Sequence, residues 1–251
     1  PANSHRIVNK RRNGTGEMEQ AKKETISTLD TGSSRTLADR VCHQLKDDII
    51  TGRLSQGSKI VEEDLAREHG VSRGPLREAI RRLEAMHLVQ RIPHAGARVV
   101  TLSEKMMSDV YSVREALEGM STRLAAEFIK PKEVDELWLL LEQHEKNIDE
   151  TEGTVYFQRE GDVDFHIRIA QASQNQLLVK SLSSELYQLI RMCRYRTAKA
   201  PSRPTKALGE HRQIVDAISR RDGELAEILM RRHISGAWQI ARELLLKDYH
   251  D

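Results

Sequence analysis

The chain is poor in cysteine: its 251 residues include 2, Cys42 and Cys193. They stand too far apart for any metal-ligand spacing, so unpaired buried thiols in a reducing compartment are expected. Long apolar runs are missing too. No segment approaches membrane-spanning length and no secretory leader is visible, so no membrane partner and a cytoplasmic location are expected. There is no internal repeat, no low-complexity tract and no His-Glu-x-x-His segment. A strong excess of either charge is also absent, with 40 Lys/Arg against 38 Asp/Glu. The even total hides an asymmetry. Residues 1–100 carry 18 basic against 13 acidic side chains, and residues 101–251 carry 22 against 25. Basic charge therefore gathers where a nucleic-acid-binding segment would need it. What is present, 38% hydrophobic and 31% charged residues over this length, suits two domains with a sizeable core.

Residues 62–85 read as two short helices about a tight turn. Leu65 and Ala66 are the inward positions of the first, and His69-Gly70 ends it because glycine takes the left-handed conformation of a sharp stop. Val71 plugs the corner, Ser72 is placed to cap the next helix, and Pro75 falls in its first turn, where a missing N–H costs nothing. Leu76, Ile80 and Leu83 then recur at helical spacing, leaving Arg73, Arg77, Arg81 and Arg82 outside. Guanidinium groups near a helix N-terminus can pair with guanine edges or clamp phosphate, although most arginine-rich helices are simply solvated. Two short strands, 88–91 and 97–100, joined by Ile92-Pro93-His94-Ala95-Gly96, add a basic hairpin. Two helices and this hairpin make a winged helix-turn-helix.

The run Val-Ser-Arg-Gly-Pro-Leu-Arg-Glu-Ala-Ile-Arg-Arg-Leu-Glu at 71–84, followed by Leu88-Val89 and a glycine-tipped hairpin, resembles the DNA-binding domain of the GntR family of bacterial transcription regulators. The resemblance implies that operator DNA is read by Arg73 and Arg77 at the Ser72-capped helix N-terminus and by His94 and Gly96 of the wing. Glu63 stands where the fatty-acyl-responsive members of the family carry an arginine.

Around this motif, residues 1–34 are polar and are expected to form a flexible arm, a solvated tail more readily than a phosphate contact. Residues 35–100 form the winged helix-turn-helix, opened by a helix from Thr36 to Ile50 with Leu37, Val41, Leu45 and Ile49 on one face. Residues 101–251 are nearly all amphipathic helix, interrupted at Pro131, 151–153, 173–175, 201–204 and 222–223. The fold class is thus mainly α: a winged helix of three helices and a small hairpin, then an all-α bundle of about six helices. A helical second domain behind a GntR winged helix is similar to the FCD ligand-binding domain of the FadR subfamily.

Several polar residues lie on the apolar stripes of the bundle. Asp162 and His166 are four apart on one helix, His211 shares a stripe with Leu208, Val215 and Ile218, and His233 shares one with Met230, Ala237 and Ile240. Each histidine alone is more often a hydrogen-bonded core residue than a ligand. The resemblance favours ligation of the set, because metal-binding FCD domains place an Asp-x-x-x-His pair and two later histidines at these places. Three nitrogens and one oxygen suit a divalent ion, with zinc preferred over nickel or manganese. His144, on a charged helix, is expected to lie outside the set. Arg114 sits in the stripe Met107, Val110, Tyr111, Leu117, where a charge is costly unless paired. A structural ion pair would explain it. By resemblance it would instead help to hold an effector carboxylate.

The expected function is that of a homodimeric regulator, not an enzyme, which binds operator DNA as a repressor and is released by a small carboxylic acid bound at the metal. Two rivals remain: a purely structural metal with regulation through a protein partner, and a metallohydrolase, which would need a general base beside the metal. Glu160, close in sequence, points elsewhere on the helix that carries Asp162.

Overall fold

The computed structural model describes residues 36–150, 164–198 and 200–248. The expected arm at 1–34, Asp162 and Glu160 lie outside the described residues.

Helix α1 (Leu37–Ile50) buries Val41, Cys42, Leu45 and Ile49 and is followed by Gly52 at φ +78°. Helix α2 (Glu62–Glu68) ends at His69, and Gly70 reverses the chain at φ +62°, where a side chain would be strained. Helix α3 (Arg73–Ala85) buries Leu76, Ala79, Ile80 and Leu83. Ser72 takes the N-cap position, yet its hydroxyl accepts no capping hydrogen bond. Strands β1 (Val89–Ile92) and β2 (Gly96–Val99) pair antiparallel, with Val89 opposite Val99 and Ile92 opposite Gly96. Each strand is displaced by one residue from its sequence-based place. Lys59 bridges to Arg98, adding the segment before α2 to the edge of the wing.

Helix α4 (Glu104–Phe128) starts at Ser103, whose hydroxyl accepts from the Met106 amide at 3.2 Å. Helix α5 (Pro131–Glu150) begins on its proline, α6 (Phe165–Ala172) is capped by Asp164, and α7 (Gln176–Ser183) is capped by Asn175. Helices α8 (Glu185–Thr197), α9 (Arg203–Ser219) and α10 (Gly223–Asp248) complete the bundle. Among the described residues it has seven helices instead of about six, because the chain breaks at Ser184 (φ −104°, ψ −119°) without glycine or proline to mark the place.

The long helices α4 and α10 lie against each other, tied by ion pairs from Arg123 to Glu224 (3.2 Å) and Glu227 (3.1 Å) and from Arg242 to Glu104 (2.8 Å). Arg221 donates to the carbonyls of Ala126, Glu127 and Ile129, satisfying the orphan acceptors at the end of α4. Helix α1 also packs on α8, so the winged helix touches the bundle directly. None of the described helices is long and apolar enough to cross a membrane.

Candidate metal centre and nucleic-acid interface

In the winged helix, Arg73 and Arg77 are more than half exposed on the first turns of α3, as a groove-reading helix requires. Each faces a carboxylate of α2: Arg73 lies 3.7 Å from Glu63, and the Arg77 Nε donates to Glu62 at 2.7 Å. Arg81 is also exposed. Arg82 departs from the expected outer face, because it turns back to Asp39 of α1 and to Glu78 at 3.1 Å. It therefore braces α3 against α1. In the wing, His94 is exposed at the turn with φ +61°, while Gly96, at φ +83°, opens β2 at the base of that turn.

In the bundle, α6, α9 and α10 bring His166, His211 and His233 together, with one ring nitrogen of each within 4.8 Å of the others. All three are buried. Phe165 stacks on the His211 ring at 4.0 Å between centroids, fixing one wall. The His211 and His233 Nε2 atoms are 3.2 Å apart, against about 3.3 Å for two nitrogens on one tetrahedral zinc. The opposite ring edges carry the partners a ligating histidine needs. His233 Nδ1 donates to Glu210 at 2.7 Å, and His166 Nδ1 stands 2.5 Å from Glu118. Carboxylates there hold the rings in the tautomer that turns Nε2 inward and make it a better donor to a metal.

The electrostatics agree. Burial pulls His166 and His211 below the usual histidine range and His233 down to about 3, and for His211 the neighbouring His233, His166 and His144 add to the effect. The cluster therefore presents neutral imidazoles, the form that binds a cation. Burial alone would raise Glu118, but Arg114 and His166 outweigh it and hold its carboxyl well below the ordinary range. The residues present fit a divalent ion.

The cluster opens on a cavity of about 60 Å³, room for roughly four waters, lined by these histidines and by Arg114, Arg191, Arg194 and Arg203. Arg114 is 1% exposed; its Nε donates to Glu118 at 2.7 Å, and its Nη1 has no hydrogen-bond partner. The ion pair considered for Arg114 is thus made by Nε, and Nη1 of the same guanidinium is left without a partner. Asp164 also lines the cavity, held by Arg194 at 2.6 Å and by the Tyr187 hydroxyl at 3.3 Å. Sequence reasoning missed Glu118, Glu210, Asp164 and three of the four arginines. His144, expected to lie outside the set, is not part of the cluster of three, but it is buried on the stripe Leu137, Leu141, His144, Ile148 and adds to the field at His211. That spacing of four, three and four was readable.

Residues 37–99 match the family described as bacterial regulatory proteins, gntR family, and residues 109–236 match the FCD domain. The chain belongs to the GntR family. As a GntR-family protein with an FCD domain it is a DNA-binding transcription regulator, and its relatives are regulators, not enzymes. It is 29% identical over 223 residues to a probable D-xylose utilization operon transcriptional repressor of Paenarthrobacter nicotinovorans, covering 82% of this chain and 91% of that protein. It is 31% identical over 192 residues to the gluconate operon transcriptional repressor of Bacillus subtilis, covering 74% and 77%. The fold is shared with E. coli McbR/YncC at a TM-score of 0.61 and 21% identity, over 85% of this chain and 99% of that one.

Proposed function

We propose that this GntR-family regulator is a homodimeric repressor whose hold on operator DNA is controlled by a small carboxylic acid bound beside a divalent metal in the helical domain. The observation that carries the reading is the shared cavity: three neutral imidazoles, two of them backed by carboxylates, and the unpartnered Arg114 Nη1 line the same space. His166, His211 and His233 would hold the ion, with Asp162 as the fourth ligand by resemblance. Zinc suits the nitrogen-rich set, and nickel or manganese would also fit it. The ion supplies a Lewis-acidic charge that accepts a carboxylate oxygen. Arg114 orients the acid, and the apolar walls of Ala207 and Ala237 exclude water from it.

The winged helix supplies the other half of the reading: Arg73 and Arg77 face the operator from α3, and His94 with Gly96 reaches it from the wing. Dimerisation follows from the need to engage two half-sites of one duplex. Exposed apolar side chains on α4 (Val113, Met120) and α10 (Leu225, Ile228) offer a second copy a surface to cover. An acid that binds the DNA-competent and DNA-incompetent arrangements unequally would shift the balance between them.

A thermal-shift screen of metal-loaded and chelator-stripped protein against small mono-, di- and tricarboxylic acids tests this reading. A specific acid at about one hundred times its dissociation constant should add roughly 2.7 kcal/mol to the native state, and only with the metal present. With that acid in hand, Arg114→Ala should weaken binding about 10- to 100-fold, the loss of one charged hydrogen bond. Metal content should hold, because Glu118 keeps His166. Arg114→Lys preserves the ion pair to Glu118 but not the planar fork, so it should also bind the acid weakly. Loss of metal from both variants would contradict the assigned role. A response to chelation with no response to any acid would favour a structural metal that staples α6, α9 and α10.

A further inference from the structure

The wing is wider than its hairpin. The Gly57 and Ile60 amides donate to the carbonyls of Val99 and Ala97 at 3.0 and 2.9 Å, and the Val99 amide donates to the Ser58 carbonyl at 3.0 Å. Residues 57–60 therefore run antiparallel along the free edge of β2. Lys59 stands opposite Arg98, and Arg98 stands opposite Gln90 of β1. Directly opposite residues of antiparallel strands project from one face, and their neighbours along each strand from the other. Ile60, Ala97, Val99 and Val89 are buried, which turns the row Lys59, Arg98 and Gln90 outward. Lys59 differs from the other cations near this row. Arg73, Arg77 and Arg91 lie against Glu63, Glu62 and Glu84, and Arg98 donates to the Gly57 carbonyl at 2.9 Å. Lys59 is exposed, with no carboxylate in ion-pair range among the described residues. Its Cε lies 3.9 Å from the place a β-carbon on Gly96 would take, so the side chain runs along the sheet to the end of the turn that carries His94.

We propose that Lys59 is a DNA-contacting residue of the wing, holding a backbone phosphate of the duplex from outside both the helix-turn-helix and the hairpin. The inference rests on the reading that the wing reaches the operator, and deepens it by supplying a charge that the turn Ile92-Pro93-His94-Ala95-Gly96 lacks, since it contains no lysine or arginine. Phosphate is the acceptor that suits this group. An ammonium on a flexible stem binds as a point charge and has no planar fork to match to a base edge. It also breaks no internal ion pair on docking, so the release of counterions from the duplex drives the contact undiminished. Such a contact fixes the wing on the backbone and strengthens binding on every sequence alike.

Salt dependence separates a phosphate contact from mere support of the sheet. The probes are a labelled duplex selected by the full-length protein from random sequences and a scrambled duplex of equal length, each titrated at several salt concentrations from about 50 to 200 mM. Lys59→Gln should lower the slope of log affinity against log salt by about one for each winged helix on the duplex. At low salt it should weaken both duplexes by a similar factor, about 3- to 10-fold, and leave the ratio between them unchanged. Lys59→Arg should restore the slope. Lys105→Gln removes an exposed lysine of α4, which pairs with Asp109, and should leave the slope as it was, showing that net charge alone is not the cause. An unaltered slope in Lys59→Gln, or a loss confined to the selected duplex, would overturn the phosphate contact. His94→Ala, assayed alongside, keeps the two readings apart. If it weakens binding while Lys59→Gln does not, the wing reading stands without Lys59; if neither variant changes binding, both readings fall.

Discussion

Alanine at His211 should strip the protein of its metal. The His211 ring is one corner of a triangle of imidazoles, its Nε2 3.2 Å from that of His233 and its face stacked on Phe165, so its removal leaves only the nitrogens of His166 and His233. A protein-bound zinc is worth about 10–16 kcal/mol shared over four ligands, so one ligand accounts for roughly 3 kcal/mol, or a hundredfold in affinity. Elemental analysis after dialysis against a weak chelator should find metal in the unaltered protein and none in His211→Ala. Circular dichroism should show the helices retained. His211→Asn, which keeps a polar side chain beside Phe165, serves as a second variant should alanine disturb packing. Glu210→Gln tests the outer partner of His233 and should cost about 10- to 100-fold in metal affinity, a loss outer-shell carboxylates commonly produce. Full metal content in both His211 variants would place the site elsewhere.

Loss of Arg77 should be the largest single injury to operator binding. Its guanidinium sits on the exposed face of α3, and a bidentate contact to a guanine edge is worth about 1–3 kcal/mol, a 10- to 100-fold effect confined to one base position. Arg73, nearer the helix N-terminus, should behave alike if it reads a base. If it holds phosphate instead, Arg73→Ala should weaken all duplexes equally and reduce the slope of log affinity against log salt by about one ion. Binding assays on an operator selected by the protein from random duplexes, with and without base changes at each half-site, distinguish these cases. Since Glu62 holds Arg77 at 2.7 Å in the free protein, Glu62→Gln should tighten binding a few-fold by freeing the arginine beforehand. Unchanged discrimination in Arg77→Ala would move base readout to the wing.

Much of the winged helix was legible because its constraints are local. Gly70 must reverse the chain, Pro75 can stand only near a helix start, and Leu76, Ile80 and Leu83 repeat with the helical period. Arg82 was read as outward because periodicity gives an angle around a helix, and it cannot say that Asp39 of another helix waits there. The histidines were visible as polar residues on apolar stripes. Their supporting carboxylates were not: Glu210 is the sequence neighbour of His211, yet it bonds His233 across the interface between α9 and α10. Arg191 and Arg194 are scattered among Ile190, Met192 and Cys193 on α8, whose orientation depends on a break at Ser184 that has no sequence marker. Glu118 was the one outer residue within reach of sequence reasoning, because it lies four residues after Arg114 on the same stripe.

The measurement that bears most directly on the account is fluorescence anisotropy of a labelled operator duplex with the protein, in its zinc-loaded and chelator-stripped forms, titrated with the acid that gives the largest thermal shift. The account predicts that the acid releases the duplex from the zinc-loaded protein, with operator affinity falling about tenfold or more, a typical coupling between linked sites. The stripped protein should show no such response. An operator affinity unmoved by the acid, or lowered equally with and without zinc, would contradict it.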